Sequence, residues 1–177
     1  IYFYAVLSDG TTAGNRTAFF LIGTFMALWV ILYGLIQANA PRILRAKTRP
    51  TDELMKVARG WAWSLAAVPA ILAGSASIAG KPQLWLTISL VAGLLIFGIV
   101  FAVNSSLHSY LLLSFTKAER VTMDVGFYYM ANAAGRLAGT LLSGLTYQIC
   151  GLPLMLGVAA FMVALSAIMV GLLKPER

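Results

Sequence analysis

The sequence predicts an all-α integral membrane protein with five full transmembrane helices and the remnant of a sixth. Three observations carry this. Of the 177 residues, 60% are hydrophobic and only 11% are charged, whereas soluble domains are about a quarter charged. The apolar residues gather in runs of the roughly 20 residues that an α-helix needs to cross a bilayer. None of the runs shows the strict alternation over about ten residues that marks a barrel strand.

The elements follow in chain order. Residues 1–7 are apolar and stop at Ser8, Asp9 and Gly10. They lack an initiator Met and a charged region with a cleavage site, so they read as the tail of a helix from a longer protein, not as a signal peptide. The first full span covers about 17–39, with Phe19, Phe20, Trp29 and Leu32, and Pro41 is expected to end it. A loop over 40–60 follows. Within it, Pro50, Thr51, Asp52 and Glu53 look like a helix start, with Thr51 as cap and acids in the first turn. A short surface helix over 52–59 resting on anionic headgroups is one reading of this loop, and a solvated loop is the other.

The second span, about 61–80, carries Pro69 in its middle, followed by Gly74, Ser75 and Ser77. A proline there removes a backbone bond and bends the helix, as moving membrane helices tolerate. The third span, about 84–114, turns polar near its end. The fourth, about 121–148, contains Asp124, Asn132 and Arg136, and the fifth covers about 153–173. Trp61, Trp63 and Trp85 fall near expected span ends, where indoles anchor at interfaces. The single cysteine, Cys150, lies in a short loop. It cannot form an internal disulfide and reads as a small apolar filler.

The net charge of +7 does not point to nucleic acid, because the cations sit between spans. Arg42, Arg45, Lys47, Arg49, Lys56 and Arg59 lie in the 40–60 loop, Lys117 and Arg120 in the next turn on that side, and Lys174 and Arg177 in the tail. With five spans, these ten of the thirteen basic residues share one side. Arg16 and Lys81 lie on the other, and Arg136 is inside a span. The positive-inside rule then places the loop and the C-terminus in the cytoplasm.

The fourth span is the informative one. On a helical projection of about 100° per residue, Asp124, Tyr128, Asn132, Gly135, Arg136, Gly139, Ser143, Thr146 and Tyr147 share a face roughly 140° wide. Phe127, Met130, Ala134, Leu137, Leu141 and Leu145 fill the opposite face. Arg136 lies about 24 Å along the helix from Arg120 at ~1.5 Å per residue, too deep to snorkel to that surface. An intramembrane cation needs a partner or a cavity. It could bind an anionic substrate group or a coupling carboxylate, or it could serve a structural ion pair or a helix end in another part of the protein. Asn132, one turn earlier, can reach the same group. Gly135, Gly139 and Gly144 form a small-residue ridge suited to close helix packing. In the third span Asn104 and His108 share a face. His108, the only histidine, could carry a proton near neutral pH or act as a neutral hydrogen-bonding residue. By depth it lies level with Tyr128, about 12 Å from the inner end, and direct contact with Arg136 is not expected. The candidate small-molecule site is therefore Arg136, Asn132, Tyr128, His108 and Asn104. No catalytic set, metal cluster, Walker loop or dinucleotide-binding glycine pattern is present in the sequence, and Ser143-Gly144 follows no strand, so it is not a nucleophile elbow.

Five spans plus a helix remnant, with a long basic loop, resemble the C-terminal six-helix half of a major facilitator superfamily transporter. On that likeness the remnant is helix 7 and the spans are helices 8 to 12, and the stretch 125–144, with Gly126, Tyr128, Asn132, Gly135, Arg136 and Gly139, resembles helix 11. Asn104-Ser105-Ser106-Leu107-His108-Ser109-Tyr110-Leu111 and Ala40-Pro41-Arg42 are similar to the organoarsenical efflux permease branch. The superfamily's Gly-Asp-Arg loop pattern is absent from 40–60. The resemblance implies alternating access by two six-helix halves in the cell inner (plasma) membrane. It also implies export of a small anionic metabolite, 1-arseno-3-phosphoglycerate, made by a glyceraldehyde-phosphate dehydrogenase. The implied partners are that substrate, the lipid bilayer and the N-terminal half of the same transporter, with no cofactor and no nucleic acid. A major facilitator exporter of drugs or sugars is the rival within the class. A membrane-embedded enzyme or a non-transporting scaffold is the rival outside it. An enzyme should cluster His, Asp, Glu or Cys at membrane depth, and a scaffold has no need for Arg136 on a polar stripe.

Overall fold

The computed structural model describes residues 1–44, 48–116 and 118–172. Arg45, Lys47, Lys117, Lys174 and Arg177, all part of the charge argument, lie outside the described residues. Among those described the chain is all-helical: α1 Tyr2–Leu7, α2 Thr12–Ile43, α3 Thr51–Ala79, α4 Leu84–Phe115, a 3-10 turn Ala118–Arg120 and α5 Val121–Leu172. Four of these helices are long and apolar enough to cross a membrane.

The turn into α2 is built from local polar chemistry. Asp9 Oδ1 accepts from the Thr11 hydroxyl (2.7 Å) and the Thr11 backbone N–H (2.9 Å). The Thr11 hydroxyl oxygen in turn accepts from Gly14 N–H as the helix cap. The Thr11 hydroxyl, then its N–H, hold the exposed Asp9 carboxyl below its ordinary value of 3.8. A depressed folded-state value means that the turn keeps this stabilisation above pH 3.8 and loses it as pH falls through the lower value. Carbon NMR of Asp9 in detergent should show a midpoint below 3.8. A midpoint at or above it would mean that the two Thr11 bonds do not form in solution.

Two helix boundaries depart from the sequence expectation. Pro41 does not end the first span. It sits inside α2, which runs on to Ile43 and closes with Leu44 N–H donating to Ala40 C=O at 2.9 Å. Ala40 and Leu44 are both buried, and that burial outweighs one missing backbone bond. Residues 52–59 are not a separate surface helix or a solvated loop but the first turns of α3, with Pro50, not Thr51, at the N-cap. The cause is Leu54, Met55 and Ala58, which are buried against Val103, Leu107 and Leu111 of α4. Trp61 and Trp63 therefore lie well inside α3 rather than at its end. Pro69 is buried within the same helix.

α5 is 52 residues long, which as a straight rod would be ~78 Å at ~1.5 Å per residue. It is not straight. Cys150 and Gly151 have non-helical backbone angles, and Gly151 at φ 70°, ψ −158° occupies a region open essentially to glycine alone. Asp124 and Val170 line the same cleft, as Gly139 and Met162 line another. The two segments on either side of the break therefore run antiparallel as a hairpin. Pro153 falls in the first turn of the second segment, where its missing N–H is harmless.

The packing shows how the helices alternate. Trp29 meets Leu94, Tyr33 meets Phe101 and Gln37 meets Ser105, so α2 and α4 run side by side in the same direction. α3 runs against both. One apolar cluster joins the ends of α2, α4 and α5 to the start of α3. A second joins α1, the end of α3, the start of α4 and the second segment of α5. Arg42, Arg49, Lys56, Arg59 and Arg120 consequently gather at the first end, and Lys81 lies at the second.

Candidate functional site

The first segment of α5 carries most of the expected site, and it is the least covered part of the molecule. Every residue from Tyr129 to Leu141 is exposed. Both faces are bare: the apolar one with Phe127, Met130, Leu137 and Leu141, and the polar one with Asn132 and Arg136. A methyl group built on Gly135, Gly139 or Gly144 would meet nothing within 4 Å. Among the described residues no atom thus packs directly on the small-residue ridge.

Several polar groups on the long helices behave differently. The hydroxyls of Ser64, Ser75, Ser77 and Ser89 donate to the carbonyls four residues earlier at 2.8–3.0 Å. Thr140 does the same to Arg136 C=O at 2.8 Å, and the Asn39 amide to Leu35 C=O at 2.8 Å. Such self-satisfaction is what a polar side chain facing hydrocarbon requires. The Asn132 and Arg136 side chains make no hydrogen bond or ion pair with any described residue. A five-donor guanidinium and a primary amide, one turn apart, are left open on one face.

The other expected residues sit elsewhere. His108 and Tyr128 line a cleft of about 570 Å³ between the end of α4 and the two ends of α5, together with Asp124, Leu111, Phe115 and Val170. Arg136 is not among its walls. It lies 8 residues beyond Tyr128, ~12 Å further along the helix at ~1.5 Å per residue. Asn104 lies one turn before His108, and its Oδ1 is buried without a hydrogen-bond partner among the described residues. Its backbone C=O is within 2.8 Å of His108 Nδ1. The chain thus brings His108 and Tyr128 together, keeps Asn104 beside them, and holds Asn132 and Arg136 apart. Asp124 was not among the expected site residues. Its depth near the start of the fourth span, level with the polar end of the third, was the signal that could have found it. No group of three metal-ligating side chains occurs among the described residues.

No family model, curated protein or solved structure matches the chain.

Proposed function

We propose that this chain is one transmembrane half-domain of a secondary transporter that exports a small anionic metabolite by alternating access. The observation that carries the reading is the open pair Arg136 and Asn132. They lie within an apolar helix of membrane length, where the Thr140 and Thr146 hydroxyls bond to carbonyls of their own backbone while the guanidinium bonds to no described residue. A cation there costs roughly 2.5–3.5 kcal/mol on insertion scales, so it lines a cavity or meets an opposing charge. The bare polar face is the wall of that cavity, and a second half-domain supplies the facing wall, as in transporters built from repeated halves. The sequence likeness to organoarsenical efflux permeases makes 1-arseno-3-phosphoglycerate the substrate to try first. Its phosphate suits a planar two-pronged donor.

In this arrangement α2, α3, α4 and the two segments of α5 cross the inner membrane, with the end bearing Arg42, Lys56, Arg59 and Arg120 in the cytoplasm. The 29 residues of α3 span ~43 Å at ~1.5 Å per residue, against a hydrocarbon core of ~30 Å. Its first turns therefore project into the headgroup layer, which brings Trp61 and Trp63 close to the interface. The orientation is checked in a Cys150→Ser background by thiol labelling of intact cells. Lys81→Cys should react with an impermeant reagent and Lys56→Cys should react only after permeabilisation. The reverse pattern inverts the topology.

The transport reading is tested with the full-length protein in everted membrane vesicles, supplied with 1-arseno-3-phosphoglycerate formed in the assay. Uptake above that of vesicles lacking the protein is expected. Absence of uptake for this probe and for simpler phosphorylated carboxylates, with the protein present by blot, would refute it.

A further inference from the structure

We propose that His108 and Asp124 form the proton-exchange site of this transporter, separate from the anion site at Arg136; the proposal rests on the transport reading above. The geometry of the cleft supports it. Its walls are largely apolar, with Leu111, Phe115, Phe127 and Val170, and Thr116 turns its hydroxyl back onto Leu112 C=O at 2.8 Å. Three polar side chains are left to do chemistry: His108, Asp124 and Tyr128.

The histidine is held in one tautomer. Its Nδ1 lies 2.8 Å from Asn104 C=O, and a carbonyl oxygen can only accept, so Nδ1 carries the hydrogen. In the neutral ring Nε2 is then a bare lone pair on the edge facing away from its own helix. A proton arriving from the outer side in the outward-facing state binds there, no other bond changes, and the ring becomes a cation with two N–H donors; in the inward-facing state Nε2 gives that proton up to the cytoplasm as the next anion loads. Asp124, in the same cleft, supplies the counter-charge. Among the described residues that line the cleft, Asp124 carries the one carboxylate. Tyr128 enters from α5 with its phenol, Gln37 from α2 is bonded to Ser105 at 3.4 Å, and Tyr110 on α4 packs against the apolar cluster. From α3 the Arg59 side chain lies near Gly171, where an added methyl would stand 3.2–3.3 Å from its Nε and Cζ, and it is not among the residues that line the cleft.

The separation from the anion site is what makes coupling possible. Asp124 and Arg136 are 12 residues apart on one helical segment, ~18 Å at ~1.5 Å per residue. The proton and the anion do not touch. They are linked because the same rigid segment carries Asp124 at one depth and Arg136 at another, so a shift that closes the cleft also moves the guanidinium.

The test compares uptake of 1-arseno-3-phosphoglycerate into everted vesicles with an imposed pH gradient and with the gradient collapsed by a potassium–proton exchanging ionophore. For wild type, accumulation should change by about tenfold per pH unit for each proton exchanged, since one unit is one decade. For His108→Gln and for Asp124→Asn the ratio should fall to near one, whatever the absolute rate, while Arg136→Ala should lose uptake in both conditions. A His108→Gln protein that still responds to the gradient as wild type does would overturn the assignment. So would a wild type that transports without responding. Loss of all downhill uptake in both cleft variants, with protein in the membrane, would instead make them anion-binding residues. If His108→Gln fails to reach the membrane, the Asp124→Asn ratio decides. A wild type that takes up no probe removes the transport reading and this site with it.

Discussion

Arg136→Ala in the full-length protein is expected to lower anion uptake roughly 10- to 150-fold while leaving the protein in the membrane. The magnitude is that of one charge-assisted hydrogen bond, about 1.5–3 kcal/mol, converted at 1.4 kcal/mol per decade. The direction follows from what surrounds the guanidinium. Its helix neighbours include Thr140, which is already satisfied by the Arg136 carbonyl, and glycines with open space where a side chain would be. Nothing described in this chain uses its donors. Arg136→Lys keeps the charge but loses the planar fork that grips phosphate or carboxylate with two parallel bonds, so it should fall between wild type and Ala. Asn132→Ala, one turn away, should weaken uptake by a smaller factor. The measurement is uptake in everted vesicles, with expression checked by blot. Normal uptake by Arg136→Ala ends the substrate role. Loss of the protein from the membrane would assign Arg136 to an ion pair with the opposing half instead.

Gly98→Val is expected to detach α2 from the rest of the molecule. A Cβ on Gly98 would lie 2.7 Å from Trp29 Nε1 and 2.8 Å from Cε2, closer than real contacts allow. The indole cannot step aside without breaking its bond to Leu94 C=O at 2.8 Å. Behind it Trp29 stacks on Tyr33, and Tyr33 meets Phe101 at 5.5 Å. α2 packs on α4 and α1, so this seam is its main attachment. Overpacking costs about 1–3 kcal/mol, and the lost indole bond adds about 0.5–1.5 kcal/mol. The unfolding midpoint of the purified chain in mild detergent should fall clearly. Adding Trp29→Ala to Gly98→Val should recover part of the loss, because the clash then has no second party. An unchanged midpoint for Gly98→Val alone would show that Trp29 does not cover Gly98.

The resting places of the polar residues explain which parts of the site could be read in advance. Arg136 and Asn132 were legible because helix periodicity depends on spacing alone, and a charged residue in an apolar run stands out whatever its neighbours do. The His108 cleft was legible only in part. Depth along each helix matched His108 to Tyr128, but grouping both with Arg136 treated one polar face as one site. The structure separates them by closing α4 and the two ends of α5 around Asp124.

Composition and periodicity by themselves determined that this chain is all-helical, with apolar runs of membrane length, a polar stripe through 124–147 and cations clustered in sequence at 42–59. These follow from local chemistry: the backbone must bond to itself wherever side chains are apolar, and spacing sets which residues share a face. Tertiary contact decided the rest. Leu54, Met55 and Ala58 joined 52–59 to α3 because α4 offered them a buried surface, and burial of Ala40 and Leu44 carried α2 past Pro41. Gly98 became indispensable only because Trp29 lies across it. Asp124 shares a cleft with His108 because α5 starts close to the end of α4, and Val170 closes that cleft because Gly151 turns the chain back on itself. None of these can be seen in a spacing pattern, since each depends on which surfaces distant parts of the chain present to one another.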